Sequence, residues 1–185
     1  AIAHTSAAWV LTAEMQRPDI EAELAAHPQR YPGLHFHYIP RTRHLAAEKL
    51  WPPAYHWTYE RWQRDAFRLG VELHRKIQFD LTHLVTYVTF RSPGHLWKLD
   101  IPFVWGPIGA LENTPWRFLP MMGPRGGLHY AGRNLINTLH KLCLPGPKRA
   151  FRRAAALIAA TGGMKRQIRA WYGRDSDILC EIGPP

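Results

Sequence analysis

The chain has 185 residues, 46% hydrophobic and 12% aromatic, which suits one domain with a buried core and argues against a disordered chain. Its net charge of +10 favours an anionic partner, namely a nucleic acid, an acidic membrane surface or a phosphorylated substrate, although the charge could equally form a solvated face. Two cysteines argue against a disulfide framework, and no apolar run reaches the ~18 residues that cross a bilayer, so we predict a cytoplasmic location.

Short apolar strands alternate with helical stretches in the first part of the chain. Residues 8–13 predict a strand, and residues 18–27 predict a helix with a proline in its first turn. Residues 34–40 alternate as a second strand would. The apolar spacing from 57 to 77 predicts a long helix.

The same alternation continues after residue 79. We predict a strand over 80–88, a short helix over 92–99 and a strand over 101–105, followed by a functional or mobile loop from Gly106 to about Gly127. The remaining predicted elements, in chain order, are helices over 131–142 and 148–154, a strand over 156–161, a helix over 163–172 and a strand over 177–183. Such alternation predicts one α/β domain over 1–185, with a Rossmann-like parallel sheet covered by helices on both faces.

Ligands of such sheets bind outside the carboxyl ends of the strands, and three predicted strands end in residues that could contact a ligand. In THLVTYVTFRSPG, Arg91 and the amides of the next predicted helix could hold an anionic group. His83 is more simply a core histidine bonded to backbone. In AATGGMKRQ, Thr161 is most simply an N-cap, and a phosphate contact at the helix start is the functional alternative. The residues that would join Thr161 in that contact are Gly162, Lys165 and Arg166.

The segment GPIGALE contains the third strand end. Its glycines, Gly106 and Gly109, could let a ligand approach backbone N–H groups beside the carboxylate of Glu112. A tight turn at the strand end would require the same glycines, and the residues alone leave both readings open.

Other chemistry has little support in the sequence. His35 and His37 share a strand face but have no partner pair at metal-ligand spacing, so we predict no metal site. The chain contains no GxGxxG, Walker A or GxSxG motif. It also lacks an aromatic RNA-binding signature and a helix-turn-helix pattern, so a nucleic acid is an improbable partner.

The segment FDLTHLVTYVTFRSPGHLWKLDIPFVWGPIGALENTPWRFLP, residues 79–120, strongly resembles the amino-terminal half of family 4 glycosyltransferases of the GT-B fold. The flanks agree with this resemblance. WVLTAEMQRPDIEAEL is similar to the second strand and helix of that family. AALIAATGGMKRQIRAWYG followed by ILCEIG is similar to the strand, helix and strand that close its first domain.

The resemblance implies a retaining hexosyltransferase of polysaccharide biosynthesis, without a required metal or cofactor. Its amino-terminal half would bind a glycan or lipid-linked acceptor, and a carboxy-terminal half would bind the nucleotide-sugar. The basic surface then suggests an anionic or lipid-linked acceptor at the membrane surface, so we expect a cytoplasmic protein that is peripheral to the inner membrane face. The residues that the matching motifs assign to the acceptor side of the cleft are His83, Thr86, Arg91, Gly106, Gly109 and Glu112.

The sequence also departs from the family pattern. The family's three glycines read Gly109-Ala110-Leu111 here, which makes the loop bulkier. The family's first glycine-rich loop and its donor domain have no counterpart in these residues, so we expect this polypeptide to be inactive alone. The alternative from another functional class is a stand-alone, non-catalytic module that binds carbohydrate or anionic headgroups.

Overall fold

The computed structural model describes residues 6–40, 54–85 and 87–179, and it confirms the α/β class with a Rossmann-like parallel arrangement of strands. Every strand pair in these ranges is parallel. The chain divides into two compact units, Ala1–Gln78 and Phe79–Pro185.

The first unit contains two strands and two helices. They are β1 (Ala8–Ala13), α1 (Arg17–Ala26), β2 (Leu34–Ile39) and α2 (Ala54–Ile77). The strands pair in one register from Ala8 opposite Leu34. Trp62 of α2 is buried, and its indole N–H donates to the carbonyl of Ile39 over 3.3 Å, which fastens the long helix to the end of β2.

The second unit contains a four-stranded sheet in the order β3-β4-β5-β6. Its elements are β3 (Thr82–Leu84), β4 (Phe103–Ile108), α3 (Gly123–Cys143), α4 (Pro145–Arg153), β5 (Ala156–Ala159), α5 (Gly162–Tyr172) and β6 (Asp177–Ile178). Among the described residues, no helix has both the length and the apolar character needed to cross a membrane.

Predicted bounds in the second unit differ from the structure at several places, and α3 already begins at Gly123, inside the loop predicted to reach about Gly127. The strand predicted over 80–88 is paired only at Thr82–Leu84, and the helix predicted over 92–99 is a single 3₁₀ turn at Leu96–Lys98. A positive φ of 57° at Gly94 breaks helical geometry within the first turn of that predicted helix. The last predicted strand is described only to Leu179, and its remainder lies outside the described residues.

The sequence predicts that this strand ends before Gly106, at residue 105. In the structure, β4 continues past Gly106 through a bulge to Ile108. Gly106 has a φ of 145°, and a Cβ there would overlap the carbonyl oxygen of Ile158 in the neighbouring strand. The missing side chain therefore lets β4 lie close against β5 while its register shifts. The Gly106–Pro107 peptide bond is cis.

The core of this unit is formed by the sheet and the helices that follow β4. Trp105 of β4 packs against Phe151 of α4 with ring centroids 4.6 Å apart, and Phe151 stacks on Tyr172 of α5 at 3.9 Å. Arg174 completes this packing because its guanidinium donates to the carbonyls of Phe151, Arg152 and Ala154 at 2.7–3.1 Å. These are carbonyls at the end of α4 that helical bonds leave unsatisfied.

Tyr172 allows a test of this core through pH. Burial raises the pKa of Tyr172 to about 12, and its hydroxyl is buried with no partner among the described residues. Because the unfolded pKa is about 10, the stabilising effect of the neutral phenol is complete below that pH and declines as pH rises towards 12. We expect Tyr172→Phe to be as stable as wild type or more stable at neutral pH, and to lose less stability between about pH 10 and 12.

Urea unfolding at several pH values measures both effects. Tyr130→Phe on α3 is the control, and it should keep the wild-type decline because Tyr172 is still present. If Tyr172→Phe lost as much stability as the wild type between about pH 10 and 12, burial of this phenol would not be the cause of the alkaline loss of stability.

Candidate functional site

The carboxyl ends of β3, β4 and β5 lie at one edge of the sheet because these strands are parallel neighbours. Backbone bonds continue the pairing past the strand ends. The N–H of Phe90 donates to the carbonyl of Gly109 over 3.2 Å, and the N–H of Ala160 donates to that of Ile108 over 3.1 Å. The three segments that follow the strands are therefore adjacent at this edge.

His83 makes a backbone hydrogen bond within the sheet. Its Nε2 lies 3.0 Å from the carbonyl oxygen of Gly106, and because a carbonyl only accepts, Nε2 carries the proton. The half-buried imidazole thus joins β3 to the bulge of β4. A hydrogen bond to backbone is the simpler of the two roles that the sequence predicts for His83.

The glycines of the GPIGALE segment also contact their own chain. A Cβ on Gly109 would lie 2.8 Å from Cγ1 of Val88, so close approach of the preceding loop requires glycine there. Ala110 has a φ of 62°, the left-handed region that favours glycine. Leu111 is fully buried in the core. Of the two departures from the three-glycine pattern, Ala110 thus carries the backbone strain and Leu111 fills the core.

Glu112 lies against the start of α5. A Cβ on Gly163 would overlap the Glu112 carboxylate, so the acid occupies the space beside the first turn of this helix. The helix is capped by Thr161, whose hydroxyl accepts from the N–H of Met164 over 3.1 Å, which confirms the predicted N-cap. The partial positive charge of a helix N-terminus stabilises a nearby carboxylate. The Glu112 carboxylate contacts Gly163. A Cβ on Gly162 would instead be no nearer than 3.8 Å to any neighbouring side chain.

The basic candidates on α5 differ in their partners. Lys165 forms an ion pair with Asp175 at 3.4 Å, and a backbone hydrogen bond from Ser176 together with Lys165 holds the pKa of Asp175 below its usual value. Arg166 is exposed. Thr86, the remaining candidate, lies outside the described residues.

Arg91 has partners that the sequence did not suggest. No helix begins after it, so the predicted contribution of helix amides beside Arg91 is wrong. Its guanidinium instead donates to Oδ1 of Asn137 over 2.6 Å and to Nδ1 of His140 over 3.0 Å, both on α3. Burial, and then the nearby charge of Arg133, lower the pKa of Arg91.

Lys141, also on α3, is the residue that sequence reasoning missed. It is only 2% exposed, its Nζ donates to Oε1 of Gln167 over 3.2 Å, and it lies 5.0 Å from the ring centroid of Trp171. Burial, and then the charge of Arg91, lower the pKa of Lys141, while Glu112 acts in the opposite direction. A single lysine in a helical segment carries no sequence signal of burial.

Arg91 and Lys141 together form what we call the cation pair. Within the described ranges, no carboxylate lies at ion-pair distance from either side chain. Two partly desolvated cations held by neutral partners would be stabilised by an anionic group. Among the residues that the structure describes, no group of three His, Cys, Asp or Glu is placed to hold a metal ion.

No protein-family model matches the chain, and neither a curated protein nor a solved structure matches it.

Ala110 provides a test of the loop between β4 and Glu112. Replacement by glycine removes the penalty of about 1–2 kcal/mol that a side chain meets in the left-handed region, and this gain is partly offset by the greater freedom of glycine in the unfolded chain. We expect Ala110→Gly to raise the free energy of unfolding by about 0.5–1 kcal/mol, as measured by urea titration. Ala7→Gly, outside this loop, is the control. A loss of stability in Ala110→Gly would contradict the strained conformation.

Proposed function

We propose that this chain is the acceptor-binding half of a retaining glycosyltransferase that moves a sugar from a nucleotide-sugar to a glycan or lipid-linked acceptor. The resemblance of residues 79–120 to family 4 glycosyltransferases motivates the reaction. The observation that carries the proposal is the cation pair, which lies beside the Glu112 loop at the carboxyl edge of a parallel sheet.

The cation pair and Glu112 would divide the recognition of the acceptor. Arg91, which is half-buried, would donate charge-assisted hydrogen bonds to an anionic group such as a phosphate, and the buried charge of Lys141 nearby would attract the same group. The exposed carboxylate of Glu112 would accept a hydrogen bond from an acceptor hydroxyl and orient it. The nucleotide-sugar would be the co-substrate and would bind to a second domain, with no metal required.

Asn137 would position both parts of this site. Its side-chain oxygen accepts from Arg91 at 2.6 Å, and its amide donates to the carbonyls of Leu111 and Glu112 at 3.3 and 3.4 Å. One buried side chain thus joins the cation to the backbone of the segment that carries the acid. Its loss would be expected to separate the two groups.

The full-length protein encoded by the gene is the right material for an activity test. It would be incubated with a panel of nucleotide-sugars and with glycan and lipid-linked acceptors from cytoplasmic membranes. Transfer of labelled sugar, with the anomeric configuration of the product determined by NMR, measures the reaction. Transfer with retention is the expected result. Glycan or headgroup binding without transfer from any donor would instead favour the non-catalytic module.

Lys141→Met tests the cation pair. Methionine keeps the length of the buried side chain and removes its charge, and because burial and the charge of Arg91 both disfavour that charge, the variant should stay folded. We expect the KM for an anionic acceptor to rise by about tenfold, because a buried unit charge near a bound anion contributes on the order of 1–2 kcal/mol. Lys76→Met at the exposed carboxy-terminal end of α2 is the control and should leave KM nearly unchanged. A wild-type KM in Lys141→Met would contradict the assigned role.

A further inference from the structure

Helix α3 is amphipathic in the reverse of the usual sense. Its buried residues are Asn134, Asn137 and Lys141, all polar. Its large apolar side chains face solvent: Leu128 is 78% exposed, Leu135 60%, Leu139 46% and Leu142 51%. A surface helix normally buries its apolar stripe and exposes its polar one.

Polar contacts hold the helix in this orientation. Asn134 accepts from the N–H of Thr114 over 2.9 Å and donates to the Thr114 carbonyl over 2.7 Å. Asn137 donates to the side-chain oxygen of Asn113 over 2.7 Å. The Asn134 bonds satisfy backbone groups of the loop after β4, and Asn137 also donates to the backbone carbonyls of Leu111 and Glu112, so the helix cannot rotate its leucines inward without leaving buried polar groups unpaired.

The four leucines form one continuous stripe. At about 100° per residue, positions 128, 135, 139 and 142 fall within an arc of roughly 60° and extend for about 21 Å along the axis. The apolar surface continues before the helix in Trp116, Phe118, Met121 and Met122, all exposed. We call these eight residues the apolar face.

The surroundings of the apolar face are positively charged. Residues 113–174 contain twelve Lys or Arg and no Asp or Glu. Arg117 and Arg125 are exposed beside the amino-terminal end of the face, and Lys148 and Arg149 are exposed just beyond its other end. The excess charge of the whole chain therefore arises from the stretch that contains the face.

We propose that the apolar face of α3 docks on the surface of an anionic lipid bilayer, with the helix lying in the membrane plane. A second copy of this chain would cover the leucines but would bring an equally basic surface against them, and that repulsion disfavours self-association. An anionic bilayer covers the leucines and also attracts the flanking cations. Tryptophan at the interface level is typical of such surfaces. The inference rests on α3 and its flanks, and it does not require the proposed sugar transfer.

Vesicle sedimentation tests the proposal with the 185-residue chain. The probes are phosphatidylcholine vesicles with and without about one-third phosphatidylglycerol. We expect binding to the acidic vesicles, and at least about tenfold weaker binding by the double variant Leu135→Asn/Leu139→Asn, which loses apolar contact with the bilayer but keeps every charge. The matched control is Met15→Asn/Leu179→Asn, whose original side chains are similarly exposed outside the apolar face. Circular dichroism and urea unfolding would establish that each variant folds.

A second pair of variants tests the charges. Arg117→Gln/Arg125→Gln should weaken binding to acidic vesicles roughly tenfold or more, since each basic residue near an anionic surface strengthens attachment several-fold. Arg64→Gln/Arg68→Gln on α2 is the matched control for net charge. Lipids brominated on the acyl chain should quench wild-type fluorescence more than that of Trp116→Phe.

Three outcomes would overturn the proposal. One is the absence of binding to either vesicle. Another is equal binding by the leucine variant and its control, which would reduce the interaction to unspecific charge attraction. The third is a concentration-dependent dimer, seen by analytical ultracentrifugation, that the leucine variant loses, which would assign the face to a second copy. Because sedimentation needs neither donor nor acceptor, its result is independent of the transfer assay.

Discussion

The close approach of β4 to β5 at Gly106 is the constraint on which the edge of the second unit depends. A side chain at this position would overlap the carbonyl of Ile158, so the bulge forms only without one. Beyond the bulge Ile108 pairs with Ala159, and the chain then turns through Gly109 and Ala110. The loop that carries Glu112 is brought against α5 by this path, and the bond from His83 to Gly106 holds the third strand to it.

The second determinant is that α3 is attached to this loop by polar side chains. Asn134 and Asn137 satisfy backbone groups that would otherwise be buried without partners. The same orientation buries Lys141 next to Arg91 and leaves the leucines on the opposite side of the helix. The cation pair and the apolar face are therefore two consequences of one packing arrangement. A helix with leucines inside could provide neither.

Electrostatics connects the proposed acceptor site with the proposed membrane surface. Lys141 and the exposed cations beside the apolar face belong to one stretch of 62 residues, 113–174, without a carboxylate. Glu112 comes directly before this stretch and lies against the start of α5. A lipid-linked acceptor with an anionic headgroup would meet cations both at the bilayer surface and at the cation pair, so one charge distribution would serve both proposed roles.

The sequence by itself determined the local elements: the strand at 8–13, the long helix to Ile77, the helix ending at Tyr172 and its cap at Thr161. These depend on periodicity and capping, which act between residues about four positions apart or fewer. Only the tertiary structure decided that β4 continues past Gly106, that 92–99 is not an α-helix, and that Lys141 is buried. Those features depend on contacts between distant residues, such as the bonds from Arg91 to residues 46 and 49 positions away, which a single sequence does not reveal.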